Sequence, residues 1–269
     1  MGRLIYDLTY AQYDAIDAVR WSNIKHLADS PLAYRRALQH NGADTPAMRF
    51  GRAVHTAVLE PQNFSRDVSV YDGAVRRGKD WEAFVAADGI TRDILKRDEF
   101  DKVQTVAKAV RRNAEARRLL RNGRSEVTVI WRDSTTGIRC KARIDHLGRH
   151  SFEDLKTTAT LDERVFAALS YRMGYFQQLA WYGAGLAACG LVRTPHLIVV
   201  ESDDPHDCDV MSVNDDDLYM AERHIRTLLD ILAACRKVRR YPGRHTEIVE
   251  LKAPAYAWGG PSDEELLEA

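Results

Sequence analysis

Ile144-Asp145-His146-Leu147-Gly148-Arg149-His150-Ser151-Phe152-Glu153-Asp154-Leu155-Lys156-Thr157-Thr158 is the stretch whose reading decides the fold of this chain. An aspartate ends one apolar strand, a glycine-containing turn follows, and the next strand carries Asp-x-Lys. Side chains alternate along a strand, so Asp154 and Lys156 share a face, and the hairpin returns them beside Asp145. Two carboxylates and an ammonium in one small site suit a hard divalent cation such as Mg2+, with the lysine placed to orient or deprotonate a water. The implied chemistry is metal-dependent hydrolysis of a phosphodiester.

An acidic-x-Lys triplet recurs by chance in a chain with 29% charged residues, and Glu250-Leu251-Lys252 is a second copy. The segment from Val238 to Val249 offers only Glu247 as an acid, so this copy has no aspartate at hairpin distance and reads as a decoy. Upstream, Phe50 to Pro61 reads as a helix with a proline stop. Gly51 allows close backbone approach, and His55 lies one turn further on the same face. Alone, His55 fits a packed helix histidine better than a ligand. Downstream, Gln178 and Tyr182 stand at i and i+4 on an apolar helix from about Tyr175 to Cys189.

The order Gly51-x-x-x-His55, Glu126 opening a strand, Asp145, Asp154-x-Lys156, then Gln178-x-x-x-Tyr182 resembles the PD-(D/E)xK nuclease superfamily, and within it the RecB-like group. The nearest likeness is to the phage and prophage RecE (exonuclease VIII) exonucleases, through Trp21-Ser22-Asn23-Ile24-Lys25, Ser30-Pro31-Leu32-Ala33-Tyr34, Leu59-Glu60-Pro61 and Cys140 to Asp145. The likeness spans residues 20 to 190. It implies His55, Asp145 and Asp154 as metal ligands, with the Leu155 carbonyl a further one, and Lys156 as the catalytic lysine. Glu126 matches an acid of the first core strand, and Gln178 and Tyr182 match a helix motif that supports the site. The usual Pro-Asp is here Ile144-Asp145.

The resemblance implies an α/β fold of restriction-endonuclease type: a central mixed sheet flanked by helices, with a helical N-terminal elaboration. It further implies a Mg2+-dependent exonuclease, with Mn2+ substituting, that acts on double-stranded DNA ends with 5′ to 3′ polarity and leaves 3′ overhangs. A ring-shaped homo-oligomer, a tetramer foremost, and a RecT-type annealing partner belong to the same expectation. A related endonuclease or single-strand-specific nuclease, and a non-catalytic DNA-binding or assembly protein on a nuclease fold, remain alternatives. Retention of the charged cluster argues against the last, because burying it is costly.

The chain has 269 residues, 45% of them hydrophobic, enough for a substantial core. We expect one nuclease domain over residues 1–253, mainly helical to residue 125 and catalytic from 126, followed by a flexible or subunit-contacting tail, 254–269. No 18-residue apolar run or signal-peptide core occurs, which points away from a membrane and toward the cytoplasm of a bacterial host. Cys140, Cys189, Cys208 and Cys235 show no C-x2-C pair, so no iron–sulfur cluster is expected. Without a phosphate-binding glycine loop, no nucleotide is expected either.

A net charge of zero is unusual for a DNA enzyme, and distribution matters more. Arg52, Arg76, Arg77, Lys79 and Arg143 are candidate DNA contacts, while arginines from 111 to 124 suit DNA or solvent equally. Along the chain, residues 8 to 60 read as helical with breaks at Ser30-Pro31 and Gly42 to Pro46, Val68 to Tyr71 as strand or loop, and Ile94 to Leu120 as helix. Strands are predicted at Glu126 to Trp131, Ile138 to Leu147, Ser151 to Lys156, His196 to Glu201 and Asp207 to Val213. A long helix is predicted from Asp215 to Val238.

Overall fold

The structure, a computed structural model, describes residues 2–39, 44–88, 93–245, 247–253 and 257. The predicted tail at 254–269, apart from residue 257, and residues 42 and 43 of the break at Gly42 to Pro46 lie outside them. The strands are β1 (Arg3–Ile5), β2 (Val68–Tyr71), β3 (Asp93–Lys96), β4 (Gly123–Arg132), β5 (Arg139–Gly148), β6 (Ser151–Thr158), β7 (Thr194–Glu201) and β8 (Cys208–Ser212). The helices are α1 (Tyr10–Asp14), α2 (Trp21–Ile24), α3 (Pro31–Ala37), α4 (Pro46–Leu59), α5 (Phe64–Asp67), α6 (Lys79–Asp88), α7 (Arg97–Arg112) and α8 (Ala114–Leu120). They continue with α9 (Glu163–Met173), α10 (Tyr175–Ala188) and α11 (Asp215–Val238).

One mixed sheet has the order β1-β4-β5-β6-β7-β8, and β2 pairs with β3 in parallel beside it. Within the large sheet β6 and β7 are parallel and the other neighbours antiparallel. A parallel pair needs a crossover, which α9 and α10 supply. Alternation along the central strands sends side chains into two cores. Val127, Val129, Leu197 and Val199 meet Trp181 of α10 and Ile225, Leu228 and Leu232 of α11. Leu155, Ile198 and Val200 meet Ala53, Val54 and Ala57 of α4 and Val103, Val106 and Val110 of α7. The result is the sheet with helices on both faces that the sequence implies.

Three sequence expectations change. The helix predicted over Ile94 to Leu120 is a strand followed by two helices. Ile94 and Leu95 pair with Ser69 and Val70, and Asn113 leaves helical geometry to cap α8 through its own side chain, Oδ1 accepting from Ala116 N at 2.9 Å. Ala114, in the first turn of α8, is exposed, and Ala116 is buried. The stretch from 8 to 60 holds shorter helices than expected, because Val19 leaves the helical path to bridge Cys140. Lys141 reinforces that departure by donating to the carbonyls of Tyr13, Asp14 and Ile16 at 2.8–2.9 Å. β1 and α9 have no counterpart in the sequence reading.

Gly174 joins α9 to α10 at a sharp angle, with φ +78. A Cβ there would come within 2.9 Å of the Trp21 ring, so both the backbone and the space call for glycine. This corner aims the first turns of α10, and with them Gln178, at β6.

Candidate active site

β5 and β6 share only two rungs next to their turn, Leu147 with Phe152 and His146 with Glu153. Beyond these, side chains occupy the space between the strands. Leu155 N–H donates to Asp145 Oδ2 at 2.8 Å, and the Leu155 carbonyl lies 2.7 Å from His55 Nε2. His55 reaches it from α4, which approaches β6 closely enough at Gly51 for a Cβ to stand 3.7 Å from Thr157 Oγ1. Four helical residues advance about 6 Å and two strand residues about 6.6 Å, so Gly51 and His55 match Thr157 and Leu155.

His55 Nδ1 lies 3.4 Å from Asp145 Oδ2, and His55, Glu126 and Asp145 offer donor atoms all within 4.8 Å of one another. Glu126 enters this triad from β4 with a left-handed backbone, φ +56, which a non-glycine residue adopts at a cost of about 1–3 kcal/mol. Arg143 pairs with the Glu126 carboxylate and donates from Nη1 to Leu8 O at 2.9 Å.

Asp154 stands outside the triad. Its Oδ1 accepts from Gln178 Nε2 at 3.0 Å, and its Oδ2 lies 2.7 Å from Lys156 Nζ. The Asp154 side chain is 1% exposed, so the Lys156 ammonium and the Gln178 amide, rather than water, answer its two oxygens. Lys156 Nζ donates to Gln178 Oε1 at 3.0 Å and lies 4.4 Å from the Tyr175 ring centroid. Gln178 Nε2 also donates to Tyr182 Oη at 2.7 Å. One amide thus orients the carboxylate with its nitrogen and the ammonium with its oxygen.

Burial and the neighbouring Asp154 push Asp145 up to about 8, against the pull of Lys156 and the Leu155 N–H. Burial and Asp145 likewise raise Glu126, and burial lowers His55. Lys156 is pushed down by burial, but Asp154 and Asp145 outweigh this and hold it as an ammonium. Burial, followed by Asp154 and Asp145, keeps the Tyr182 phenol protonated. Like charges gathered away from water fit a divalent cation. His55, Glu126 and Asp145 are the residues positioned to hold it. Two carboxylates and one imidazole suit Mg2+ or Mn2+, the imidazole favouring the latter.

A family model described as "PDDEXK-like domain of unknown function (DUF3799)" matches residues 21–253. The chain belongs to this family. A crystal structure described as a "Putative exonuclease" from Eubacterium rectale shares the fold, with a TM-score of 0.63 over 94% of this chain and 98% of that chain at 13% identity. A structure described as SSO0001 aligns at 14% identity over 50% of this chain and 69% of that one, and its TM-score of 0.29 carries no argument. No curated protein matches the chain.

Within this PDDEXK-like chain, several candidate DNA contacts are engaged internally. Arg52 is held between Asp44 and Asp93, Arg76 pairs with Glu99, and Arg143 pairs with Glu126. Arg77 and Lys79 lie on the exposed surface at the start of α6. Glu250 and Lys252 are exposed and outside any helix or strand. Sequence reasoning placed Lys25 only in a supporting motif. It opens a 3-10 turn, and burial and the Lys156 ammonium push its own ammonium down, with no carboxylate paired to it among the described residues.

Proposed function

We propose that the chain is a Mg2+-dependent double-stranded DNA exonuclease. The observation that carries this reading is the ammonium of Lys156 held between Asp154 and Gln178 beside the His55–Glu126–Asp145 triad. A divalent cation in the triad would supply Lewis-acid stabilisation of phosphoryl oxygens and lower the pKa of water. The chain's own residues do the rest. Lys156, kept protonated by two carboxylates, places positive charge against the attacking water and the developing phosphorane charge rather than acting as a base. Gln178 fixes its direction, and Arg143 holds Glu126 toward the triad. Mn2+ is expected to substitute for Mg2+. Ca2+ is larger and less suited to activating an in-line water, so it should support binding without cleavage.

Resemblance to the RecE exonucleases supports the finer points: attack on duplex ends with 5′ to 3′ polarity, a tetrameric ring enclosing DNA, and delivery of a 3′ single strand to a RecT-type annealing protein. Linear duplex labelled at either end, nicked circles and closed circles, incubated with Mg2+, test the proposal together. Release of 5′ label from linear DNA, with closed circles intact, is the expected result. Cutting of closed circles makes the chain an endonuclease, and digestion in excess EDTA overturns the metal mechanism. A duplex trap added after initiation, with a mass measurement, tests the ring: immediate arrest and a monomeric mass contradict it.

A further inference from the structure

A cavity of about 450 Å³ opens at the turn end of the β4–β5–β6 ladder, with Tyr6, Gly123, Arg124, Leu147, Arg149 and Arg193 among its walls. Three arginines, Arg124, Arg149 and Arg193, are among its lining residues. Their only carboxylate partner among the described residues is Asp7, 4.0 Å from Arg124 and largely exposed. Arg193 donates from Nη1 to the neighbouring Val192 carbonyl, and its Nε is buried without a partner. Arg149 is exposed in the β5–β6 turn. Uncompensated arginines are the groups that recognise phosphate oxygens best, through paired N–H donors.

An aromatic completes the cavity. Tyr6 is 44% exposed, and the Arg124 guanidinium lies over its ring, 5.5 Å from the centroid. A stacked ring and guanidinium offer a flat face for an unpaired base. β1 carries Tyr6 into place, since Ile5 is paired with Thr128 on β4.

The cavity lies further along two of the strands that carry the triad. Leu147 is two residues from Asp145 on β5, and Arg124 is two residues from Glu126 on β4. Each step is about 7 Å, of the order of one nucleotide of extended backbone. We propose that this cavity binds a single-stranded segment of nucleic acid adjoining the scissile bond, with Arg124, Arg149 and Arg193 on its phosphates and Tyr6 against a base. The inference rests on the nuclease reading of the neighbouring site for its purpose, while the binding itself does not.

The test is fluorescence anisotropy of the full chain in EDTA, with a duplex bearing a short single-stranded tail and the same duplex blunt. Arg124→Glu with Arg149→Glu should weaken binding to the tailed duplex by about tenfold or more and reduce the salt slope by about 2. Tyr6→Ala should lower the preference for tailed over blunt DNA by about fivefold or more. Arg223→Glu removes another arginine–tyrosine pair, on the surface of α11 and away from the cavity, and should change neither. Arg149→Glu alone, at an exposed turn, guards against misfolding of the double variant. Wild-type binding by the arginine variants overturns the proposal, and equal losses on tailed and blunt DNA overturn its single-stranded part. Cleavage of labelled duplex in Mg2+ reads the neighbouring site separately: arginine-dependent binding without cleavage in any divalent metal keeps the cavity and removes the nuclease.

Discussion

Adjacent positions of one hairpin carry acids with opposite fates. Glu153, 1% exposed, accepts from the Ser151 hydroxyl and lies 2.6 Å from Nδ1 of its register partner His146, itself 3% exposed. Gly123 leaves room for that imidazole, since a Cβ there would come within 2.7 Å of it. One residue further on each strand, Asp145 and Asp154 are buried as well, but Asp145 lies among His55 and Glu126 while Asp154 is shared between Lys156 and Gln178. The first pair, with Ser151 and His196 also drawn to Glu153, reads as structure. The second has no such closure, as the cation and substrate of the proposed function would require. Burial of acids therefore does not mark the site; the balance of partners does.

The sharpest way to break this contrast is through stability. Glu153→Ala strands His146 without its partner and should cost about 3–5 kcal/mol in denaturant unfolding. Asp145→Asn, which keeps an oxygen for the Leu155 N–H, should shift the metal-free protein by no more than about 1 kcal/mol while abolishing cleavage. Equal losses of stability would erase the distinction between the two positions.

Next in size is the lysine. Lys156→Ala should lower kcat by about a hundredfold or more, as when an electrostatic stabiliser is lost, with the far-ultraviolet spectrum and DNA binding in Ca2+ retained. A variant with normal kcat would place the chemistry elsewhere.

A smaller and graded effect is expected from pH. Asp145 sits above its unfolded value of 3.8, so its contribution to metal-free stability is full below that value and is lost as pH rises through about 8. Metal must displace that proton. Isothermal titration should therefore show affinity for Mn2+ rising by up to about tenfold per unit toward pH 8 and levelling above it. A flat profile would mean that Asp145 is ionised without metal. Lys252→Ala, at the exposed second copy of the motif, should leave the rate unchanged.

Much of the fold was legible because its cues are local. Asp145, the glycine turn and the Asp154-x-Lys156 alternation place three charges with no information beyond strand periodicity, and α11 was readable from end to end through its apolar spacing. Ile94 and Leu95 were misread because two apolar residues suit a strand or a helix equally, and only a parallel partner in β2 decides between them. β1 was missed for the same reason: three residues have no periodicity to show.

Sequence by itself determined the charges, their order along the chain and the two-residue rhythm that puts Asp154 and Lys156 on one face. Tertiary structure alone decided which of these groups meet. Glu126 joins His55 and Asp145 because its backbone turns left-handed, Asp154 is taken up by Lys156 and Gln178, and Arg52 and Arg76 are drawn into ion pairs. The physical reason is that periodicity is a short-range property of the backbone. The partners that set a buried charge's protonation and purpose come from strands and helices tens of residues away, and packing brings them within a few ångströms.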